Sequence, residues 1–188
     1  MPPRTTEEVI MSTDCTPTVW LGCLTCYNDG RLVGGWYPAA DAAEVTPSQL
    51  HGRPIPEHVH EELWCFDHEH IPVDGELDPL TAARWGQLYD QLDDPSQWPA
   101  VCAWVRGGSY VEDGDGMPSL SDFTERYCGT WDSFRDYAEH LAEETGAFAG
   151  VPEDLRSYID MRAWARDIEV DYTVEPAPDH QVFIFRSF

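Results

Sequence analysis

The densest group of metal-ligating residue types in the chain is HVHEELWCFDHEH, residues 58–70, in which Cys65 lies between the pairs His58-x-His60 and His68-x-His70. On an extended strand, His-x-His sets both imidazoles on one face, which is half of a zinc site. Such a site would suit a zinc-dependent hydrolase centred on residues 58–70. The stretch contains no H-E-x-x-H; His60-x-Glu62 matches the start of the zinc deaminase signature, but no P-C-x-x-C follows it. Cys23 and Cys26 form a C-x-x-C inside VWLGCLTCY, a run that reads as a strand. Residues three apart on a strand face opposite sides, so one ion would not easily take both. The pair therefore reads as structural, and no metal ligand is assigned. EDGDG, residues 112–116, resembles the middle of a calcium loop but lacks its third acid and the closing glutamate. No P-loop, G-x-S-x-G or dinucleotide fingerprint is present. No catalytic residue and no cofactor are expected, and the chain reads as a non-enzyme.

The stronger chemical signal is charge. There are 35 acids against 11 bases, every base is arginine, and the formal net charge is −24. Codon bias replaces lysine by arginine without adding acids, and adaptation to high salt adds acids without placing them; a merely acidic cytosolic protein from a salt-adapted host is an alternative reading. Here the acids are placed. TWDSFRDYAEHLAEETG, residues 130–146, reads as one amphipathic helix with Phe134, Tyr137, Ala138 and Leu141 along one stripe. A second stripe holds Asp132, Asp136, Glu139 and Glu143 at i, i+4, i+7 and i+11, thickened by Glu144. Acids near a helix C-terminus oppose the macrodipole by about 0.3–1 kcal/mol each. Three expected helices end on them: Asp90, Asp93 and Asp94; Glu143 and Glu144; Asp167 and Glu169.

Some acids have local work. Ser133 and Asp136 fit a capping box, with Asp132 as an alternative cap. Asp122–Arg126, Arg135–Glu139 and Arg156–Asp160 fit i, i+4 pairs. Glu112, Asp113, Asp115, Glu143, Glu144, Glu153, Asp154, Asp167 and Glu169 are left without an evident local partner. With Asp132, Asp136, Glu139 and Asp160 they make up the expected partner-binding surface, each carboxylate standing in for a phosphate. At about 1.5 Å rise per residue, the stripe spaces successive carboxylates by roughly 5.5 Å, of the order of neighbouring phosphates on one strand. Two copies of the chain would carry the charge of roughly 80 Å of duplex, against a radius of gyration of about 16 Å for a compact globule of this length. That favours an elongated shape, an oligomer, or both. Such a surface repels nucleic acid and anionic lipid, so neither is an expected partner; it attracts a strongly positive protein.

These residues must be held by a folded scaffold. Of 188 residues, 42% are apolar and 12% aromatic, enough for a core. No apolar run is long enough to span a membrane. Residues 1–17 have no apolar signal region and read as a flexible tail. The six cysteines read as reduced thiols, and the expected location is the cytoplasm of a bacterial host. Residues 19–27 and 31–37 read as a hairpin around Asn28-Asp29-Gly30, and residues 61–67 as a third strand. Asp78-Pro79 starts a helix running to about Asp93, and Ser96 starts a second one ended by Gly107-Gly108. Residues 119–128 read as helix, residues 152–169 as the last helix, and residues 170–174 and 181–186 as closing strands. The expected class is α+β: an antiparallel β lobe over 18–71, a helical lobe over 72–108 and an acidic α+β lobe over 109–188.

The sequence also resembles the ArdA antirestriction proteins. VWLGCLTCYNDGRLVGGWYPA is similar to the family's opening strands, with a YN-x-G-x-L-x-G-x-W core at Tyr27, Asn28, Gly30, Leu32, Gly34 and Trp36. EELWCFDHEHIP resembles its third strand. LAEETGAFAGVPEDLRSYIDMRAWARDIEV carries an EETG at residues 143–146, then Val151-Pro152, Tyr158-Ile159-Asp160 and Ala165-Arg166-Asp167; VFIFR resembles the last strand. Residues 68–117 depart most. The resemblance implies three small α+β lobes in a row, dimerising through the C-terminal lobe into a curved acidic rod. It implies a mimic of bent B-form DNA, carried by phages or conjugative plasmids. The implied partner is the DNA groove in the methyltransferase core of a type I restriction–modification enzyme, or another DNA-binding defence protein.

Overall fold

The computed structural model describes residues 14–56, 59–60 and 62–187. Most of the expected tail, residues 1–13, lies outside them. Residues 14–17 are in contact with the fold: Pro17 is buried and its carbonyl accepts the Ala39 N–H at 2.9 Å. The α+β class is observed, with two three-stranded antiparallel sheets.

The first sheet has the order β2-β1-β3, from β1 (Thr18–Cys23), β2 (Gly34–Pro38) and β3 (Leu63–Glu69). The expected pairing of the first two runs is present, in a register matching Trp20 with Trp36. The connection is not the short turn that Asn28-Asp29-Gly30 announces. β1 stops at Cys23 and the chain makes one helical turn, α1 (Leu24–Asn28), before Gly30 reverses it at φ 75°. Close approach fixes glycine at Gly34, where a Cβ would meet the Leu21 carbonyl and the Trp20 ring. A 3₁₀ turn (Ala39–Asp41) and α2 (Pro47–His51) follow β2. α2 opens on a full capping box between Thr46 and Gln49 and closes on Gly52 in the left-handed region.

Asp78 caps α3 (Pro79–Asp90) by accepting the Thr81 N–H at 2.9 Å. The helix ends three residues before the expected Asp93, because Asp94 caps the 3₁₀ turn Pro95–Gln97 instead. α4 (Trp98–Arg106) and α5 (Leu120–Arg126) follow. The expected helix 119–128 is cut short by β4 (Tyr127–Trp131), whose aromatic and β-branched residues join the second sheet. α6 (Phe134–Thr145) starts from the Ser133 cap and ends on Gly146. The single helix expected over 152–169 is two pieces, α7 (Glu153–Arg156) and α8 (Met161–Ile168). The break falls where Asp160 turns its carboxylate onto the N–H groups of Arg162 and Ala163 at 3.1 and 3.0 Å, which begins a new helix. β5 (Tyr172–Pro176) and β6 (Val182–Arg186) complete the second sheet, in the order β4-β6-β5.

The core explains how the parts hold. Val19, Leu21 and Cys65 on one face of the first sheet meet Ala82, Trp85 and Leu88 of α3 and Trp98, Val101 and Trp104 of α4. Phe183 and Phe185 of β6 belong to the same cluster, whereas Ile184 points the other way into Phe134, Tyr137 and Ala138 of α6 and Ala165 of α8. The period of two along β6 therefore joins two cores through one strand, and the acidic helices α6 and α8 rest on its far side.

Candidate functional site

The carboxylates face outward. Glu112, Asp113, Asp115, Asp132, Asp136, Glu143, Glu144, Glu153, Asp154, Asp160, Asp167 and Glu169 are exposed, and Glu139 is half-buried. The structure sorts them by local duty. Asp113 accepts the N–H groups of Asp115 and Met117 within the 112–116 turn, which ties this loop to itself. Asp132 is not on α6, as the spacing implied; it precedes the Ser133 cap and accepts a hydrogen bond from Gln181 Nε2 at 2.9 Å. Ser133, not Asp132, caps the helix: its Oγ accepts the Asp136 N–H and donates to the Asp136 carboxylate. The helical stripe is thus Asp136, Glu139, Glu143 and Glu144.

The expected pairs Asp122–Arg126 and Arg135–Glu139 form at 2.8 and 2.7 Å. Arg156–Asp160 does not: Asp160 is taken by the α8 cap, and Arg156 reaches Glu153 at 3.4 Å. Arg31 and Arg166 likewise meet Asp29 and Asp167. Part of the sparse positive charge is therefore spent on local acids, and it lies within a surface of strong negative excess.

The EETG motif divides into scaffold and surface. Gly146 adopts φ 64°, its N–H donates to the Glu143 carbonyl, and the Ala147 N–H donates to the Ala142 carbonyl. This pair of bonds is the glycine stop that a helix end calls for. Thr145 Oγ donates back to the Leu141 carbonyl at 2.7 Å. Neither glutamate takes part through its side chain; among the described residues Glu144 meets only His140, at 3.9 Å. A cleft of about 560 Å³ opens beside this end, with Glu139, Glu143 and Arg156 around Phe148 and Met161.

The stretch 58–70 does not come together as one centre. His58 lies outside the described residues. His68 turns to the Gly75 carbonyl, and exposed His70 lies in the left-handed region at φ 60° with its carbonyl accepting Trp98 Nε1–H. Cys65 is in the core, where burial pushes its thiol up to about 12. His60 goes elsewhere. Its Nδ1 lies 3.1 Å from Cys23 Sγ and 3.7 Å from Cys26 Sγ, and its ring centroid is 4.7 Å from that of His51.

The turn α1 makes this possible. Cys23 is the last residue of β1 and Cys26 sits within the first turn of α1, so a spacing of three brings both thiols to one side. The strand reading of residues 19–27 is corrected here. Its physical cause is the backbone leaving the sheet at Cys23, where the Leu24 N–H bonds to the Glu62 carbonyl. His51, in the last turn of α2, was not singled out from the sequence; a histidine 25 residues beyond a C-x-x-C was the available signal.

The molecule is thus an acidic α+β protein with a surface of outward carboxylates and a buried cysteine–histidine cluster. It belongs to the ArdA antirestriction protein family: the family model described as antirestriction protein (ArdA) matches residues 19–182. Family membership makes antirestriction the function class of the chain. No curated protein matches it. Among the described residues no helix is long and apolar enough to cross a membrane.

Proposed function

We propose that this protein is a non-enzymatic DNA mimic that blocks restriction by filling the DNA groove of a type I restriction–modification methyltransferase core, acting as a homodimer in the bacterial cytoplasm. The observation that carries the reading is the outward carboxylate set on α6, α7, α8 and the 112–116 turn, several of them at helix ends where they oppose the dipole. An Arg or Lys that normally holds a phosphate meets a carboxylate here with the same charge-assisted geometry. Exposed Leu155 and Tyr158, beside the acids of α7, offer an apolar face for the second copy.

The test is native mass spectrometry of the protein with a purified methyltransferase core, with and without a competing duplex. The expected result is a complex that the duplex displaces and that added salt weakens, since neighbouring ionic contacts are screened. A complex that survives saturating duplex overturns the proposed groove. Capture of a different DNA-binding defence protein, with the same competition, would move the target and keep the mimicry.

A further inference from the structure

We infer that Cys23, Cys26, His51 and His60 form a tetrahedral zinc site that pins the open end of the first sheet. The four donor atoms, one from each residue, lie within 4.8 Å of one another. Zinc bonds of about 2.3 Å to sulfur and about 2.0–2.1 Å to nitrogen place tetrahedral S···N pairs about 3.6 Å apart. The two measured S···N distances, 3.1 and 3.7 Å, bracket that value. The spacing Cys-x₂-Cys-x₂₄-His-x₈-His draws its donors from three separate pieces of chain: the β1–α1 junction, the last turn of α2, and the segment entering β3.

Two further observations point to an ion rather than to a packed polar cluster. His51 Nε2 is buried with no hydrogen-bond partner among the described residues, and such an atom is costly to leave unpaired. Cys23 and Cys26 are each 1% exposed and His60 is 8% exposed, so an incoming disulfide substrate could not reach the C-x-x-C pair. Two thiolates and two neutral imidazoles give a Zn²⁺ complex of zero net charge, which burial tolerates. Four protein donors fill the coordination sphere, so this is a closed, structural site and not a hydrolytic one.

Its effect would be local order. Cys23 pairs with Leu63 across β1 and β3, and the Leu24 N–H bonds to the Glu62 carbonyl, so the ion sits where this pairing ends. A metal bound only by the folded arrangement stabilises it by mass action.

The experiment is metal analysis of the full chain, expressed with added zinc and purified under reducing conditions, followed by cobalt substitution. The expected result is one zinc per chain, a cobalt spectrum with thiolate charge-transfer and strong tetrahedral visible bands, and a lower Tm after chelation. Cys26→Ala with His60→Ala should lose the metal, and His68→Ala with His70→Ala should keep it. Circular dichroism checks folding of both variants; where the first one unfolds, the wild-type cobalt spectrum decides. Metal at under about a tenth of an equivalent, an octahedral cobalt spectrum without charge-transfer bands, a Cys23–Cys26 disulfide in anaerobically handled protein, or a full equivalent retained by Cys26→Ala with His60→Ala would each overturn the site.

Discussion

Neutralising acids that oppose their own helices separates function from stability, because the two respond with opposite sign. Take the joint variant Glu143→Gln, Glu144→Gln, Asp154→Asn, Asp167→Asn and Glu169→Gln, all at exposed positions. An exposed ion pair contributes about 0.2–1 kcal/mol, so five lost contacts cost the complex about 1–5 kcal/mol. This is a loss of affinity from about five-fold to several thousand-fold, whereas Glu143→Gln alone changes it by about five-fold at most. Stability moves the other way. Glu143 and Glu144 close α6 and Asp167 lies in the last turn of α8, so each neutralisation relieves about 0.3–1 kcal/mol of dipole opposition. Asp154 sits in the first turn of α7 and gives a similar amount back. The balance is about 0–2 kcal/mol in favour of the variant, and 1 kcal/mol is worth about 2–4 °C in a chain of this size. The assay pairs thermal melting by circular dichroism with competition against duplex for a methyltransferase core at fixed salt. A variant that folds and competes as well as wild type refutes the mimicry. One that competes poorly but also melts earlier refutes the claim that these acids stand against their helices.

Two further outcomes test the scaffold. Gly86→Ala sets a propensity gain of about 1 kcal/mol against the backbone of Ala39 and Ala40, which the added Cβ would meet; overpacking of about 1–3 kcal/mol or more should win, and a lower urea midpoint checks it. The Asp78 carboxyl is held below its ordinary range by the Thr81 hydroxyl and N–H. A depressed folded pKa stabilises above the unfolded value of about 3.9 and is lost as pH falls through the folded value, so Asp78→Ala should cost about 0.5–2 kcal/mol at pH near 7 and progressively less as pH falls below about 3.9, by urea titration.

What was legible in the sequence was what local chemistry decides. Asp78-Pro79, Ser133 and Gly146 mark helix ends by hydrogen bonds each residue makes with its own neighbours, and all three stand where expected. The errors fall where a distant partner decides. Residues 127–131 continue a helical pattern but pair with β6, a strand more than 50 residues away. Residues 152–169 were one helix by periodicity, until Asp160 proved a better cap than an ion-pair partner for Arg156. Asp132 lost its place on the helix because the cap one residue later defines where the helix begins. The outward direction of the acids needed no tertiary information, since a desolvated carboxylate without a partner is costly anywhere. The cysteine–histidine cluster did need it: its donors come from three segments, and α1 is too short for periodicity to announce.

The local ties of the acids bear on how such a surface works. Asp132, Asp136, Glu139 and Asp160 each accept a hydrogen bond from the protein itself and Glu153 forms an ion pair with Arg156, yet all but Glu139 remain exposed and each carboxylate keeps lone pairs turned outward. A tethered carboxylate has fewer rotamers to lose on binding than a free one, and that loss is about 0.5–1.5 kcal/mol for a long side chain. A duplex presents its phosphates on a stiff backbone. A protein that competes with it must supply comparable stiffness, and caps, Asx turns and i, i+4 pairs do so one residue at a time. On the proposed mimicry, hydrogen bonds that first look like reasons to remove these acids from the binding set are compatible with their belonging to it. The acids with no such tie, Glu143 and Glu169 among them, contribute charge and field more than geometry, so their effect should fade faster with added salt than that of the tethered ones.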